Sequence, residues 1–147
     1  MFTRYATTDL KPDIIIRMDE NKIWAVTIKG LVFNEEGKLL LLQEPDGMWE
    51  LPGGRIEHGE EFAQTLTREI REEVGVECEI LDQQPYWAWS EPPGNLQRWR
   101  VGLGFRIKLK SFNFITSDEF SGSAYFNKQG LIDLGDKMWT KGFIKFL

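Results

Sequence analysis

Between residues 22 and 34 the chain reads KIWAVTIKGLVFN, a stretch rich in β-branched and aromatic residues that predicts a strand. EEGK then turns it into the apolar run LLLLQ at 39–43, so the pair predicts a hairpin whose second strand is buried. EPDG is a further turn signal. MWELPGG predicts a short extended piece, stopped by Pro52 and by the Gly53-Gly54 pair.

From Glu61 the period becomes helical. Phe62, Leu66, Ile70 and Val74 recur every fourth residue, and Gly75 follows where a C-terminal capping glycine belongs, which predicts a helix over about 61–74. Beyond it, 76–90 and 96–110 predict two strands separated by the loop EPPGN. SAYFN predicts another strand, and KQGLIDLGD a short final helix. Strands on both sides of one central helix predict an α+β fold, a mixed α/β sandwich. At 147 residues there is room for one domain, with the polar residues 1–20 as an N-terminal extension.

Composition adds constraints. Hydrophobic residues make up 41% and charged residues 28%, the balance of a folded chain with a core rich in aromatics. A net charge of -5 without any compensating Lys/Arg cluster argues against polymeric nucleic acid as a partner. A small phosphorylated ligand stays open, because a bound cation inverts local charge. The single cysteine, Cys78, excludes an internal disulfide and suits a reducing compartment. MFTRYATTDLKPD lacks the apolar core of a signal peptide, and no run reaches membrane-spanning length, so the expectation is a soluble cytoplasmic protein with no membrane partner. Self-association into a homodimer is left open.

The segment LPGGRIEHGEEFAQTLTREIREEVGV gathers glutamates that repel one another. On a helix, Glu69, Glu72 and Glu73 fall within a sector of roughly 100°, beside the apolar stripe. Like charges at this spacing cost roughly 0.2 to 0.5 kcal/mol per pair when exposed, and more when half-buried. Arg68 can pair with Glu72, but one guanidinium does not neutralise three carboxylates. A hard divalent cation does, and an open oxygen site of few protein ligands is what Mg²⁺ prefers when it also binds phosphate. A solvated acidic helix face in an interaction domain is the plain alternative.

Spacing separates the two. Gly54, Glu60, Arg68-Glu69, Ile70, Glu72-Glu73, Gly75 and Val76 fit G-x5-E-x7-R-E-U-x-E-E-x-G-U, with U a bulky aliphatic, at every specified position. This resembles the Nudix box, and the flanking WELPGGRIEHGE is similar to the usual approach to it. The resemblance implies a Nudix-like α/β/α sandwich around a box helix. It also implies a Mg²⁺- or Mn²⁺-dependent hydrolase that cleaves the phosphoanhydride of a nucleoside diphosphate linked to another moiety, of the ADP-ribose or nucleotide-sugar kind. A nucleoside triphosphate pyrophosphohydrolase is the alternative among enzymes, and a nucleotide-binding sensor without turnover the alternative outside them. The implied metal ligands are Glu69, Glu72, Glu73 and the carbonyl of Gly54. Glu60 and Arg68 would orient the carboxylates, and Glu69, Arg68 and Glu119 are the candidates for catalytic work, with Glu69 or Glu119 as the base.

Other residues carry weaker signals. His58 occupies a variable position of the box and reads as an exposed loop residue. Glu119 lies six residues before Tyr125, where many members of the family carry an acidic loop residue, and Asp118 competes with it. Trp87, Trp89 and Arg55 are candidates for substrate binding, with Trp99 a further stacking aromatic; alternating Trp87 and Trp89 share one strand face, and packing there is the favoured reading of the pair. Pro92, sixteen residues after Val76, is similar to a feature of ADP-ribose-cleaving members. LLLLQEPDGMWELPGG does not resemble the coenzyme A-cleaving signature.

Overall fold

The computed structural model describes residues 24–92, 99–111 and 117–147, so the expected N-terminal extension at 1–20 lies outside the described residues. Its order is β1 (Trp24–Leu31), β2 (Leu39–Gln43), β3 (Trp49–Glu50), β4 (Gly53–Arg55), α1 (Phe62–Val74), β5 (Cys78–Ile80), β6 (Trp87–Glu91), β7 (Trp99–Leu109), β8 (Gly122–Phe126) and α2 (Lys128–Leu134), with short 3-10 turns at Gly135–Lys137 and Ile144–Phe146.

One sheet runs β4-β1-β7-β5, with β6 also on β7, and the other runs β3-β2-β8. β1 and β7 pair in parallel over their whole shared length, Trp24 opposite Trp99 through Leu31 opposite Arg106. β4 pairs antiparallel with β1, which places Gly53 opposite Lys29 and Arg55 opposite Thr27. The architecture is the expected mixed α+β sandwich.

Three local expectations change. β1 and β2 do not form a laddered hairpin: an isolated bridge between Phe33 and Leu39 joins them, after which they enter different sheets. The all-leucine strand explains this, because Leu40 and Leu42 fill the core under α1 while Leu39 and Leu41 fill a second core on the opposite face. The expected strand at 76–90 is two strands, β5 and β6, both laid on β7. Between them, Asp82 accepts the backbone N–H of Arg106 at 2.8 Å and binds its guanidinium, so a side chain replaces the ladder there.

Third, Trp87 and Trp89 are not surface stacking platforms. They are 8% and 4% exposed and belong to the second core, where Trp87 stacks on Phe143 and Trp89 meets Phe143 edge-on. A Cβ added at Gly102 would lie 2.2 Å from the Trp89 ring, so the strand opposite has room for the indole only because it carries glycine there. Trp99 is exposed and packs against Trp24, ring centroids 5.5 Å apart.

α1 fulfils its pattern at three of four stripe positions. Leu66, Ile70 and Val74 are fully buried, whereas Phe62 is exposed on one side and leans on Phe105. Gln64 reaches back to accept the Glu61 backbone N–H at 2.8 Å, and Gly75 closes the helix in the left-handed conformation, φ 73°. No helix among the described residues is long and apolar enough to cross a membrane.

Candidate active site

The turn between β3 and β4 carries the site. Gly53 has φ +116°, and a Cβ there would stand 2.2 Å from the Ile28 carbonyl oxygen, so both conformation and space demand glycine. This lets the chain lie flat on β1 and aim the Gly53 N–H at α1. Glu73 receives it: Oε2 accepts at 2.6 Å. Gly54 backs onto the other carboxylate, and a Cβ at that position would fall 2.4 Å from Glu69 Oε1.

Arg68 gathers the remaining charges. Its Nε and Nη2 donate to the two oxygens of Glu60 at 2.6 and 3.0 Å, and Nη1 donates to Glu69 at 2.8 Å and to Glu72 at 3.3 Å. A planar fork bonded to three carboxylates fixes their directions. The guanidinium, with help from the Thr65 hydroxyl, holds the Glu60 carboxyl down to about 2, and Glu60 in turn raises Arg68 further.

Glu73 is in the opposite situation. It is only 8% exposed, and burial pushes its carboxyl up to about 8, against the pull of Lys29 and the Gly53 N–H; Glu69 and Glu50 raise it further. Lys29 is the residue the sequence reading missed. Fully buried on β1, its Nζ donates to Leu51 O at 3.2 Å and Gly53 O at 2.7 Å and pairs with Glu50, so it props up the glycine turn from below. A lysine inside WAVTIKGL was the available signal, since a charge in an apolar strand requires partners.

Glu72 is exposed, tethered only by Arg68, and His58 is exposed in the loop. Arg55 is exposed on β4 and lines, with Lys29, Gly53 and Gly54, a cleft of about 340 Å³. Ala25, Thr27, Glu44, Glu50, Arg100 and Trp139 complete its walls. Asp118 and Glu119 stand exposed in a turn closed by Phe120 N to Ser117 O at 3.0 Å. That turn is fastened to α1, because Ser117 N donates to the Glu73 carbonyl at 2.9 Å. Pro92 is exposed and lines, with Glu91 and Lys141, a surface depression that shares Arg100 and Trp139 with the cleft.

A divalent cation fits this donor set. Among the described residues no three His, Cys, Asp or Glu side chains stand together as a closed cage. What the turn offers is two carboxylates, Glu69 and Glu73, against the Gly53-Gly54 backbone, with the exposed Glu72 carboxylate held by Arg68 on the same helix. Lys29 and the Gly53 N–H do not offset the burial of Glu73, whose carboxyl stays raised to about 8. Few protein oxygens, with water and phosphate supplying the rest, is the coordination that Mg²⁺ accepts.

Comparisons with known proteins bear on the family and the fold. The chain is 36% identical over 87 residues to the 8-oxo-dGDP phosphatase NUDT18 of Homo sapiens, a match covering 52% of this chain and 26% of that protein, so the chain spans about a quarter of it. It is 29% identical over 117 residues to the RNA pyrophosphohydrolase of Wolbachia pipientis, covering 69% of this chain and 72% of the relative. Among solved structures, the MutT protein of Methanosarcina mazei Go1 superposes with a TM-score of 0.67 over 84% of this chain and 89% of that one, at 20% identity, which speaks for the fold. The NUDIX domain pattern itself matches residues 24–145, and the chain belongs to the Nudix family.

Proposed function

We propose that the protein hydrolyses the phosphoanhydride of a nucleoside diphosphate linked to a second moiety, with Mg²⁺ or Mn²⁺ held by Glu69, Glu72, Glu73 and the Gly54 carbonyl. The observation that carries this is the opening of the 340 Å³ cleft onto Gly53 and Gly54, the backbone against which Glu69 and Glu73 rest. A diphosphate seated there meets Arg55, exposed on the same strand and lining the cleft.

When bound, the cation supplies positive charge to the phosphate oxygens as negative charge develops on them. The chain supplies the rest. Arg68 orients Glu69 and Glu72. Glu69, or Glu119 from the turn fastened to Glu73, takes the proton of the attacking water. The new bond forms between water oxygen and phosphorus, the bridging P–O bond breaks, and the bridging oxygen leaves with the departing phosphate. The relatives' names, a nucleoside diphosphate phosphatase and a pyrophosphohydrolase, support phosphate-chain hydrolysis as the reaction class.

The test is a hydrolysis screen of the purified chain with Mg²⁺ or Mn²⁺ across ADP-ribose, nucleotide sugars, dinucleoside polyphosphates and nucleoside triphosphates. Turnover of a diphosphate conjugate that stops in chelator and returns with excess metal is expected. Tight binding with no product after long incubation would instead identify a sensor.

A further inference from the structure

Successive side chains of β1 point to opposite faces of its sheet. Ile28 enters the core under α1, whereas Ala25, Thr27 and Lys29 line the cleft. The Lys29 ammonium thus belongs to the cleft side, yet the residue is only 2% exposed. All three of its N–H bonds are committed within one short stretch of chain: to the Glu50 carboxylate, to Leu51 O at 3.2 Å and to Gly53 O at 2.7 Å. None is left for a phosphate, so Lys29 does not anchor substrate in the way Arg55 can.

Those bonds end on the residue that meets Glu73. Gly53 gives its N–H to Glu73 Oε2 at 2.6 Å and accepts the Lys29 ammonium at its carbonyl. Lys29 and Glu73 form no ion pair with each other among the described residues, so Gly53 is the link between them. The ammonium is near enough to draw the Glu73 carboxyl down.

The residue after Gly53 is also glycine. A peptide between two residues without Cβ has few conformations closed to it, and no side chain at either end to hold it. Gly53 moreover stands at φ +116°, away from ordinary strand geometry. Beyond the pairing of β4 with β1, the fixed point of this peptide is the Lys29 ammonium on its carbonyl.

We propose that Lys29 is a positioning residue of the cation site: through Gly53 it sets the place of the Glu73 carboxylate and of the glycine backbone on which Glu69 rests, with Glu50 balancing its charge. This rests on the proposed cation site. The ammonium has two opposed effects there, since as a charge it repels a cation and as a three-way tie it prearranges the oxygens that bind one. Glu50 cancels the first and leaves the second. Removing the partners that orient metal-binding groups typically weakens affinity by about 10- to 100-fold.

Mn²⁺ affinity, read by electron paramagnetic resonance on the purified chain without substrate, separates the two effects. Lys29→Met/Glu50→Gln removes one charge of each sign, so the net charge beside the site is unchanged and only the tie is lost. It is expected to bind Mn²⁺ about tenfold or more weakly than wild type while circular dichroism shows a folded chain. Glu50→Gln alone keeps the ammonium and both carbonyl bonds, and its affinity is expected to lie between the two. A mere charge effect gives the opposite order, with Glu50→Gln the weakest and the double variant near wild type. A mere packing role lowers the melting temperature of the double variant at unchanged Mn²⁺ affinity. Either result overturns the proposal. In wild type, where folding is not at issue, a Mg²⁺ titration followed by nuclear magnetic resonance should move the Gly53 amide and Lys29 ammonium signals together with one midpoint; a Lys29 signal unmoved at saturating Mg²⁺ overturns the proposal even if the double variant does not fold. Equal Mn²⁺ binding by wild type and double variant ends this proposal and leaves the hydrolase reading standing, whereas a wild type that binds no Mn²⁺ ends both.

Discussion

The backbone N–H of Gly53 donates to the buried Glu73 carboxylate at 2.6 Å, and that bond ties the glycine turn to the last turn of the box helix. It joins two functions in one contact. Glycine at φ +116° is what allows the amide to point inward, and the carboxylate it meets carries an ionisation cost that an external cation can relieve.

The first prediction follows from that cost. In the folded, metal-free chain the Glu73 carboxyl titrates near 8, against 4.5 for the unfolded group. Between these values the native state holds a proton that the unfolded state has released, so stability falls as pH rises from about 5 to 8. The loss is on the order of a few kcal/mol. Glu60 acts with the opposite sign and in a lower window: held at about 2 by Arg68, it contributes stability above 4.5 that is lost as pH falls. Tm in chelator should therefore decline from pH 5 to 8, and millimolar Mg²⁺ should flatten the decline. Glu73→Gln, uncharged at every pH, should abolish the slope and lower turnover by orders of magnitude. A chelated wild type with a flat profile over this window would show that Glu73 is not the strained group.

The two glycines of the turn should respond differently to alanine. At Gly54 the added Cβ meets the end of the Glu69 side chain, which can swing aside, so the fold should survive within about 1 kcal/mol while Glu69 leaves its place. At Gly53 the Cβ meets the backbone oxygen of Ile28 and the conformation itself is unfavourable, a strain on the order of 1 to 3 kcal/mol before the clash is counted. Gly54→Ala should therefore give near-wild-type melting with activity down by about 10² or more, and Gly53→Ala a large fall in Tm. Equal melting temperatures for the two variants would contradict this division.

Lys29 supplies a third test. Its ammonium satisfies Leu51 O and Gly53 O, pairs with Glu50 and draws the Glu73 carboxyl down. Lys29→Met keeps the bulk but strands a carboxylate and two carbonyls, at a cost of about 3 to 5 kcal/mol. Much of that cost arises from the neighbouring negative charges, so adding Glu50→Gln should recover part of it. Additive losses in the double variant, read by denaturant unfolding, would mean that Lys29 acts through packing alone.

Legibility followed physical range. α1 and its cap could be read from Leu66, Ile70, Val74 and Gly75 because helical periodicity is local, and the spacing from Gly54 to Val76 pointed to the glutamates that the structure sets around the glycine turn. Phe62, in the first turn of the helix, departs from the stripe: it stays exposed on one side and touches the sheet through Phe105. The hairpin expected of β1 and β2 failed because strand pairing is decided by distant partners: β1 prefers β7, some seventy residues on, and leucines at 39–42 must serve two cores. Lys29, Arg100 and Trp139 were invisible as a group for the same reason, since only the closed sheet brings residues 29, 100 and 139 to one cleft. Trp87 and Trp89 alternated as a face should, but nothing in the alternation told which face was covered by Phe143.

The turn at 117–120 offers the last test, because it lies outside the box yet is bonded to it. Ser117 N donates to the carbonyl of Glu73, so the turn's position is set by the same helix residue whose carboxyl meets Gly53. Asp118 and Glu119 are both exposed there, adjacent in sequence. If Glu119 closes on the attacking water, its contact is made in the transition state and hardly in the ground state, and Glu119→Gln should lower kcat by about 10² or more with KM little changed. Asp118→Asn should leave both constants near wild type, and a shifted pH-rate profile in Glu119→Gln would separate a base from a residue that merely shapes the loop. If instead both variants turn over normally while Glu69→Gln is silent, the proton passes to Glu69, whose carboxylate Arg68 already holds beside Gly54.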